Sequence, residues 1–266
     1  MEQISSKDNK KIKLAVSLKK RKYREKEGLF NVEGIRLAEM AADSGWEIIN
    51  AFFTSEALTK ARAAALAEKL TGKGTECYEI PVEIYKRISD TVEGQGVLLN
   101  VRRREMQLSS LPQKAAGIYV VLDGVQDPGN AGTIIRTADA VGADGVICLK
   151  GTVDIFAEKT VRSTMGSVFN LPVVTDVTAN ELLSFSKERK IPFLVTALDS
   201  EAKVYHQADY RQAVLLVVGN EGNGASQEIL QRANEKIYIP MPGKTESLNV
   251  SIAAAVILYE ALRQRS

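Results

Sequence analysis

The sequence predicts an α/β protein in two parts, a small α/β domain followed by a larger one built on a parallel sheet. Three observations predict it. From Gly117 onward, short apolar runs alternate with amphipathic helical segments, the rhythm of a βαβ chain. Those runs are apolar throughout rather than at every second position, as expected of parallel strands buried on both faces. Finally, a polar, proline-containing stretch separates this region from a first third with its own strand–helix alternation. The expected boundaries are 1–106 for the first domain, 107–116 for a linker and 117–266 for the second domain.

Taken in order, residues 5–27 read as one basic helical segment with apolar beads at Ile12, Leu14, Val16 and Leu18. Residues 29–34 form a short strand running into a helix over 35–44, stopped by Gly45. A strand over 46–53 and an Ala-rich helix over 55–70 follow, with Gly72 and Gly74 as a break. A strand over 96–101 closes the domain. In the second part, residues 118–122 are a buried strand. Asp127-Pro128-Gly129-Asn130 then turns the chain into a helix over 131–141, with Asn130 placed to cap it and Gly142 to end it. Residues 145–149, 191–197, 214–218 and 237–239 are further strands. The last helix, 249–263, carries Val250, Ala253, Ala254, Ile257, Leu258 and Leu262 at helical spacing.

Composition excludes several classes. An apolar fraction of 45% with 26% charged residues is that of a globular protein rather than a disordered one. No apolar stretch approaches the roughly 18 residues that span a bilayer. The basic, polar start lacks the apolar region of a secretory signal. Cys77 and Cys148 are far apart, so a reduced, cytoplasmic protein is expected. The net charge of +2 is uninformative, but residues 1–30 hold ten Lys or Arg against four acids, and Arg102-Arg103-Arg104 forms a second cluster. Such clusters suit a phosphate backbone, and equally a solvated helix face.

Familiar catalytic signatures fail on inspection. Gly243-Lys244-Thr245 resembles the end of a phosphate-binding loop, but Tyr238 stands where that loop needs glycine. The glycines from Gly219 to Gly224 follow a late strand and do not fit a dinucleotide fingerprint. One histidine, His206, with two scattered cysteines supplies neither a zinc site nor a hydrolase triad, so no metal is expected and His206 reads as a surface residue.

Three segments do carry chemistry. Residues 122–136 take a buried strand through a tight turn into a helix bearing Arg136, which by itself reads as one more solvated arginine. Residues 217–224 place a Gly-rich loop with an acid, Glu221, after a hydrophobic strand, where ligands of α/β sheets bind. Residues 237–251 run from a strand through a Pro/Gly loop into a Ser/Asn-rich helix start. Capping explains Ser247 or Asn249 individually, but not the bracketing Ile239, Met241 and Leu248, which suit an adenine pocket.

In this order the three segments resemble the signature motifs of the SpoU (TrmH-like) branch of the SPOUT RNA 2′-O-ribose methyltransferases, over about residues 117–266. The strongest parts are Asp127-Pro128-Gly129-Asn130 with Arg136, Gly219-Asn220-Glu221-Gly222, and Ile239-Pro240-Met241 followed by Ser247-Leu248-Asn249-Val250-Ser251. Residues 162–167 with Leu171-Pro172 resemble the family's intervening helix. The first third is similar to the ribosomal-protein-like domain of rRNA-directed members, on Phe30-Asn31-Val32-Glu33-Gly34 and Gln95-Gly96-Val97.

The resemblance implies a C-terminal trefoil knot, although knots are otherwise nearly absent from proteins, and a homodimer packed through the knotted region. The Ala253-Ala254-Ala255 run of the last helix would permit close packing there. S-adenosyl-L-methionine is the implied cofactor, with Thr196, Gly219, Gly222, Ile239, Met241 and Leu248 lining its pocket. The implied catalytic set is Asn130, Arg136, Glu221, Ser247 and Asn249. Arg136 would activate the hydroxyl with the RNA phosphate, or, since a guanidinium is a poor base, clamp phosphate and stabilise the developing alkoxide. Glu221 would steer polar groups or accept the proton, and Ser247 and Asn249 would orient the ribose or cap the helix. The implied substrate is RNA, with large-subunit ribosomal RNA favoured over transfer RNA, docked by the N-terminal domain and residues 102–104. A non-catalytic RNA-binding protein of the same fold and an unrelated nucleotide-binding enzyme are the alternatives.

Overall fold

The computed structural model describes residues 1–266, which divide into two compact units. The first comprises Met1–Arg104 together with Phe156–Phe169, and the second Glu105–Ile155 with Asn170–Ser266. No helix is long and apolar enough to cross a membrane.

The first unit contains β1 (Glu2–Gln3), α1 (Lys10–Ser17), α2 (Arg21–Glu27), β2 (Leu29–Glu33), α3 (Ile35–Asp43), β3 (Ile48–Thr54), α4 (Ser55–Leu58), α5 (Ala61–Gly72), β4 (Glu76–Ile80), α6 (Val82–Ile88) and β5 (Val97–Arg102). Its five strands lie in the order β1-β4-β3-β5-β2, with β5 antiparallel to both neighbours. The basic helix expected over 5–27 is broken in two. Lys20 is extended, and the buried Arg24 donates from Nη1 to the carbonyls of Leu18 (2.7 Å) and Lys19 (2.8 Å), satisfying backbone that a break leaves open. The Ala-rich helix expected over 55–70 is likewise broken, at Thr59–Lys60.

The remaining piece of this unit comes from far along the chain. Phe156 and Phe169 join Phe30 and Trp46 in an aromatic cluster, with ring centroids 5.0 Å apart for Phe30–Phe156 and 5.5 Å for Trp46–Phe169. Between them, α8 (Glu158–Ser163) brings Glu158 to Asn31, whose Nδ2 donates to Glu158 Oε1 at 2.8 Å. Asn31 faces Asn100 across β2 and β5, and Asn100 Nδ2 donates to Asn31 Oδ1 at 2.8 Å. The arginines of residues 102–104 are engaged here too. Arg102 pairs with Glu47, Arg103 stacks on Phe156 (4.5 Å), and Arg104 stacks on Trp46 (5.1 Å) while donating to Gly45 O.

The second unit contains β6 (Ile118–Asp123), α7 (Pro128–Ala140), β7 (Gly145–Leu149), β8 (Val173–Val177), α9 (Ala179–Arg189), β9 (Phe193–Thr196), β10 (Lys203–Val204), β11 (Val214–Gly219), α10 (Gln227–Leu230), β12 (Glu235–Tyr238) and α11 (Val250–Arg263). Its seven strands are all parallel, in the order β10-β12-β9-β11-β6-β7-β8. Strands 6, 7 and 8 step outward one way, and the chain then returns to build the other side. The order therefore reverses at β6/β11, the topological switch where the carboxyl ends of such sheets bind ligands. Tyr119, Val121, Ile147, Phe193, Leu215 and Val217 are among the buried residues that form the core under this edge. The expected linker is packed onto this unit. It holds a 3-10 turn at Leu108–Ser110, buries Leu111, and gives the carbonyls of Leu111 and Pro112 to Arg189 Nη1.

Candidate active site at the carboxyl edge of the parallel sheet

Because every strand of the second sheet points the same way, the loops after β6, β9, β11 and β12 gather on one edge. The first is set by the start of α7. Asp127, not Asn130, is the N-cap: its side chain accepts from Asn130 N at 2.9 Å, and Pro128 occupies the first helical turn, where its missing N–H is harmless. Freed from capping, the Asn130 amide points at the other loops.

The loop after β11 is folded by Asn220. Its backbone pairs reciprocally with Gly224 (2.9 Å each way), its Oδ1 accepts from Gly222 N (2.9 Å) and Asn223 N (3.1 Å), and its Nδ2 donates to Gly124 O (2.9 Å). A Cβ on Gly219 would lie 2.0 Å from Ala225 N and 2.1 Å from Gly224 C, so only glycine permits this fold-back. Asp123, at the end of β6, accepts from Ser226 N at 2.6 Å and pins the far end of the loop. Neither Asn220 nor Asp123 stands out in the sequence as more than a turn former and a strand terminus.

Glu221 then joins the loops. Its Oε1 accepts from Asp127 N and Asn130 Nδ2, and its Oε2 from Gln126 N, each at 3.0 Å. Partial burial pushes its carboxyl up, but the hydrogen bonds from Asn130, Gln126 and Asp127 outweigh it and hold the group below the usual carboxylate range. Asn130 Oδ1 in turn accepts from Asn249 Nδ2 at 2.9 Å. Asn249 caps α11, its Oδ1 accepting from Ser251 N (2.9 Å) and Ser251 Oγ (2.6 Å). Glu221, Asn130 and Asn249 thus form one hydrogen-bonded chain linking residues 91 and 119 apart in sequence.

Beside this chain lies a cavity of about 670 Å³. Thr196, Gly219, Gly222, Ile239, Met241 and Leu248 all line it, as do Glu221 and Ser247. Thr196 Oγ1 also donates to Val217 O at 3.2 Å, bracing β9 against β11. Asn130 and Asn249 do not line the cavity themselves but are tied to its wall through Glu221, whereas Arg136 neither lines it nor joins that hydrogen-bonded chain. It is exposed on α7, with no hydrogen bond or ion pair. Six residues beyond Asn130, it stands about 9 Å further along the helix and about a third of a turn around it. His206 is exposed in a 3-10 turn, outside the cavity.

Residues 117–259 match the SpoU rRNA Methylase family, and residues 9–99 match the MRM3-like substrate binding domain. The 23S rRNA (guanosine(2553)-2′-O)-methyltransferase RlmP of Bacillus subtilis is 35% identical over 262 residues, which cover 97% of this chain and 98% of that protein. The crystal structure of an AdoMet-bound rRNA methyltransferase from Sinorhizobium meliloti superposes with a TM-score of 0.89 at 32% identity, covering 98% of this chain and 97% of that one. AviRb of Streptomyces viridochromogenes, in complex with AdoMet, gives a TM-score of 0.87 at 29% identity over 97% of this chain and 98% of that one. With both halves matched and the SPOUT sheet, glycine loop and C-terminal helix all in place, this chain belongs to the SpoU family of RNA methyltransferases.

Proposed function

We propose that this chain transfers a methyl group from S-adenosylmethionine to a ribose 2′-hydroxyl of large-subunit ribosomal RNA. The observation that carries the reading is the Glu221–Asn130–Asn249 chain, which ties the three signature segments together at the rim of one cavity. The cavity fits the donor: its volume is within the range of small-molecule sites, and Ile239, Met241 and Leu248 supply an apolar wall beside the loop backbone at Gly219 and Gly222. When bound, the donor supplies a methyl group made electrophilic by its sulfonium.

The chain's own residues position and polarise. Glu221 has both oxygens occupied and favours its ionised form, so it acts as a positioning group and not as the proton acceptor. Asn130 and Asn249 present a fixed polar rim to the ribose, with Ser247 beside them. Holding the hydroxyl in line with the methyl is worth on the order of 7–11 kcal/mol in the best-oriented cases. Arg136, unpaired on its helix and outside the cavity of its own chain, is left to clamp an RNA phosphate.

The remaining RNA contacts fall to Lys7, Lys10, Lys20 and Lys22, which are exposed, since residues 102–104 already hold internal partners. The chain works as a homodimer. Ile252 and Tyr259, seven residues apart on α11, are 52% and 55% exposed and form an apolar stripe for a second copy, whereas Ala254 is buried within the chain. The reaction takes place in the cytoplasm, where thiols such as the buried, unpaired Cys77 and Cys148 stay reduced.

Arg136→Ala tests the catalytic assignment. Methylation of ribosomal RNA disappears while calorimetric affinity for S-adenosylmethionine stays nearly unchanged; activity at the wild-type level would remove Arg136 from the mechanism.

A further inference from the structure

The cavity wall carries three charged side chains, Asp199, Glu221 and Lys236. Glu221 is fully occupied by Gln126, Asp127 and Asn130. The other two pair with each other on the cavity wall. Lys236 stands on β12, in register with Val195 of β9, and Asp199 lies three residues beyond the end of β9. Asp199 is held in place by its own turn: Oδ1 accepts from Glu201 N at 3.0 Å, which leaves Oδ2 for Lys236 Nζ. Their mutual hydrogen bond holds the Asp199 carboxyl below its usual range and the Lys236 ammonium above its own, so both are charged at neutral pH.

A structural reading of this pair is weak. Both side chains remain accessible, at 30% and 28%, and an ion pair of that exposure contributes little net stability. The backbone bond from Ala197 N to Ile237 O, 3.0 Å, already closes this corner without it. What the pair offers is two opposite fixed charges side by side on the wall of a cavity whose other lining residues, Glu221 apart, are apolar or neutral. A methyl donor with an amino-acid tail carries the complementary pattern, an ammonium and a carboxylate on one carbon. While the cavity is empty of that tail the two side chains neutralise each other, and exchanging one accessible pair for two pairs with the ligand favours binding.

Resting on the methyltransferase reading above, we infer that Asp199 and Lys236 recognise the amino-acid tail of the donor, Lys236 Nζ taking its carboxylate and Asp199 Oδ2 its ammonium. They serve as specificity residues, distinguishing an aminocarboxypropyl thioether from the bare nucleoside.

The test compares two probes by calorimetry on the full chain: S-adenosylhomocysteine, which has the tail, and 5′-methylthioadenosine, which lacks it. Asp199→Asn and Lys236→Gln each lower affinity for S-adenosylhomocysteine on the order of tenfold and leave 5′-methylthioadenosine within twofold of wild type. Equal losses on both probes would assign the pair to the ribose or to local structure, and no loss on either would remove it from the site. Either result overturns the inference while leaving the methyltransferase reading intact. Wild-type protein that binds neither probe would sink both. Unchanged thermal midpoints confirm that the variants are folded.

Discussion

Replacing Glu158 by glutamine is expected to stabilise this protein above neutral pH and to flatten its pH dependence. Glu158 is 5% exposed, and one of its oxygens accepts from Asn31 Nδ2 while the other accepts no hydrogen bond. Glu33, 4% exposed, shares the same surroundings: Arg162 Nη1 stands 3.7 Å from Glu33 Oε2 and 3.9 Å from Glu158 Oε2. The two carboxylates are treated unequally. Burial raises Glu33, but hydrogen bonds from Ser89, Thr91, Asp90 N and Tyr85 hold it below its usual range. Burial pushes Glu158 up to about 7, with the charges of Asp90 and Glu33 adding to it. Between pH 4.5, where the unfolded glutamate titrates, and pH 7, the folded chain retains a proton that the unfolded chain has released. Stability therefore falls as pH rises through that window and levels off above it. At about 1.4 kcal/mol per pH unit, the loss is on the order of 3 kcal/mol. Glutamine keeps the oxygen that Asn31 needs and cannot ionise. Urea unfolding at pH 5 and pH 8 should show wild type losing about that much relative to Glu158→Gln across the interval. Parallel profiles, or a variant weaker than wild type at pH 8, would refute the reasoning.

Three other outcomes are expected. Gly219→Ala should abolish donor binding by calorimetry and lower the thermal midpoint, since its Cβ meets backbone at 2.0 Å, which no side-chain rotation relieves. Asn130→Ala should lower the methylation rate on the order of ten- to a hundredfold with a smaller effect on donor affinity, because it unlinks Glu221 from Asn249. Lys20→Glu with Lys22→Glu should weaken RNA binding and reduce the salt slope by roughly 0.7 per lost phosphate contact, whereas Arg104→Ala should lower stability and leave that slope alone.

Much of the second domain was legible because its strands declare themselves. Residues 118–122 and 214–218 are continuous apolar runs, and both are central strands with helices and loops supplying the rest. The short edge strands were not: Val173–Val177 interrupts its apolar run with Thr175 and Asp176, and Lys203–Val204 has only two residues. The helix expected from residue 131 begins at Pro128, because Asp127-Pro128-Gly129-Asn130 satisfies both a turn and a helix N-terminus, and Asp127 takes the cap expected of Asn130. In the first domain, β4 and α6 lie between two glycine breaks and the final strand, where no element is expected from the sequence. Phe156–Phe169 reads as part of the second domain, and only long-range contacts, invisible to local periodicity, build it into the first unit through Phe30, Trp46 and Asn31. At the site, local patterns located the cavity wall, since Ile239, Met241 and Leu248 are unusual in an exposed loop. They could not reveal that Asn220 folds its loop, nor that Glu221, Asn130 and Asn249 meet.

The most direct measurement of the central claim is isotope transfer. Purified protein is incubated with methyl-labelled S-adenosylmethionine and ribosomal RNA from cells lacking this gene, and the RNA is digested to nucleosides. Label in a single 2′-O-methylnucleoside of the large-subunit RNA, lost with Arg136→Ala, is the predicted result. Label on a base, or none in any RNA despite measurable donor binding, would contradict it.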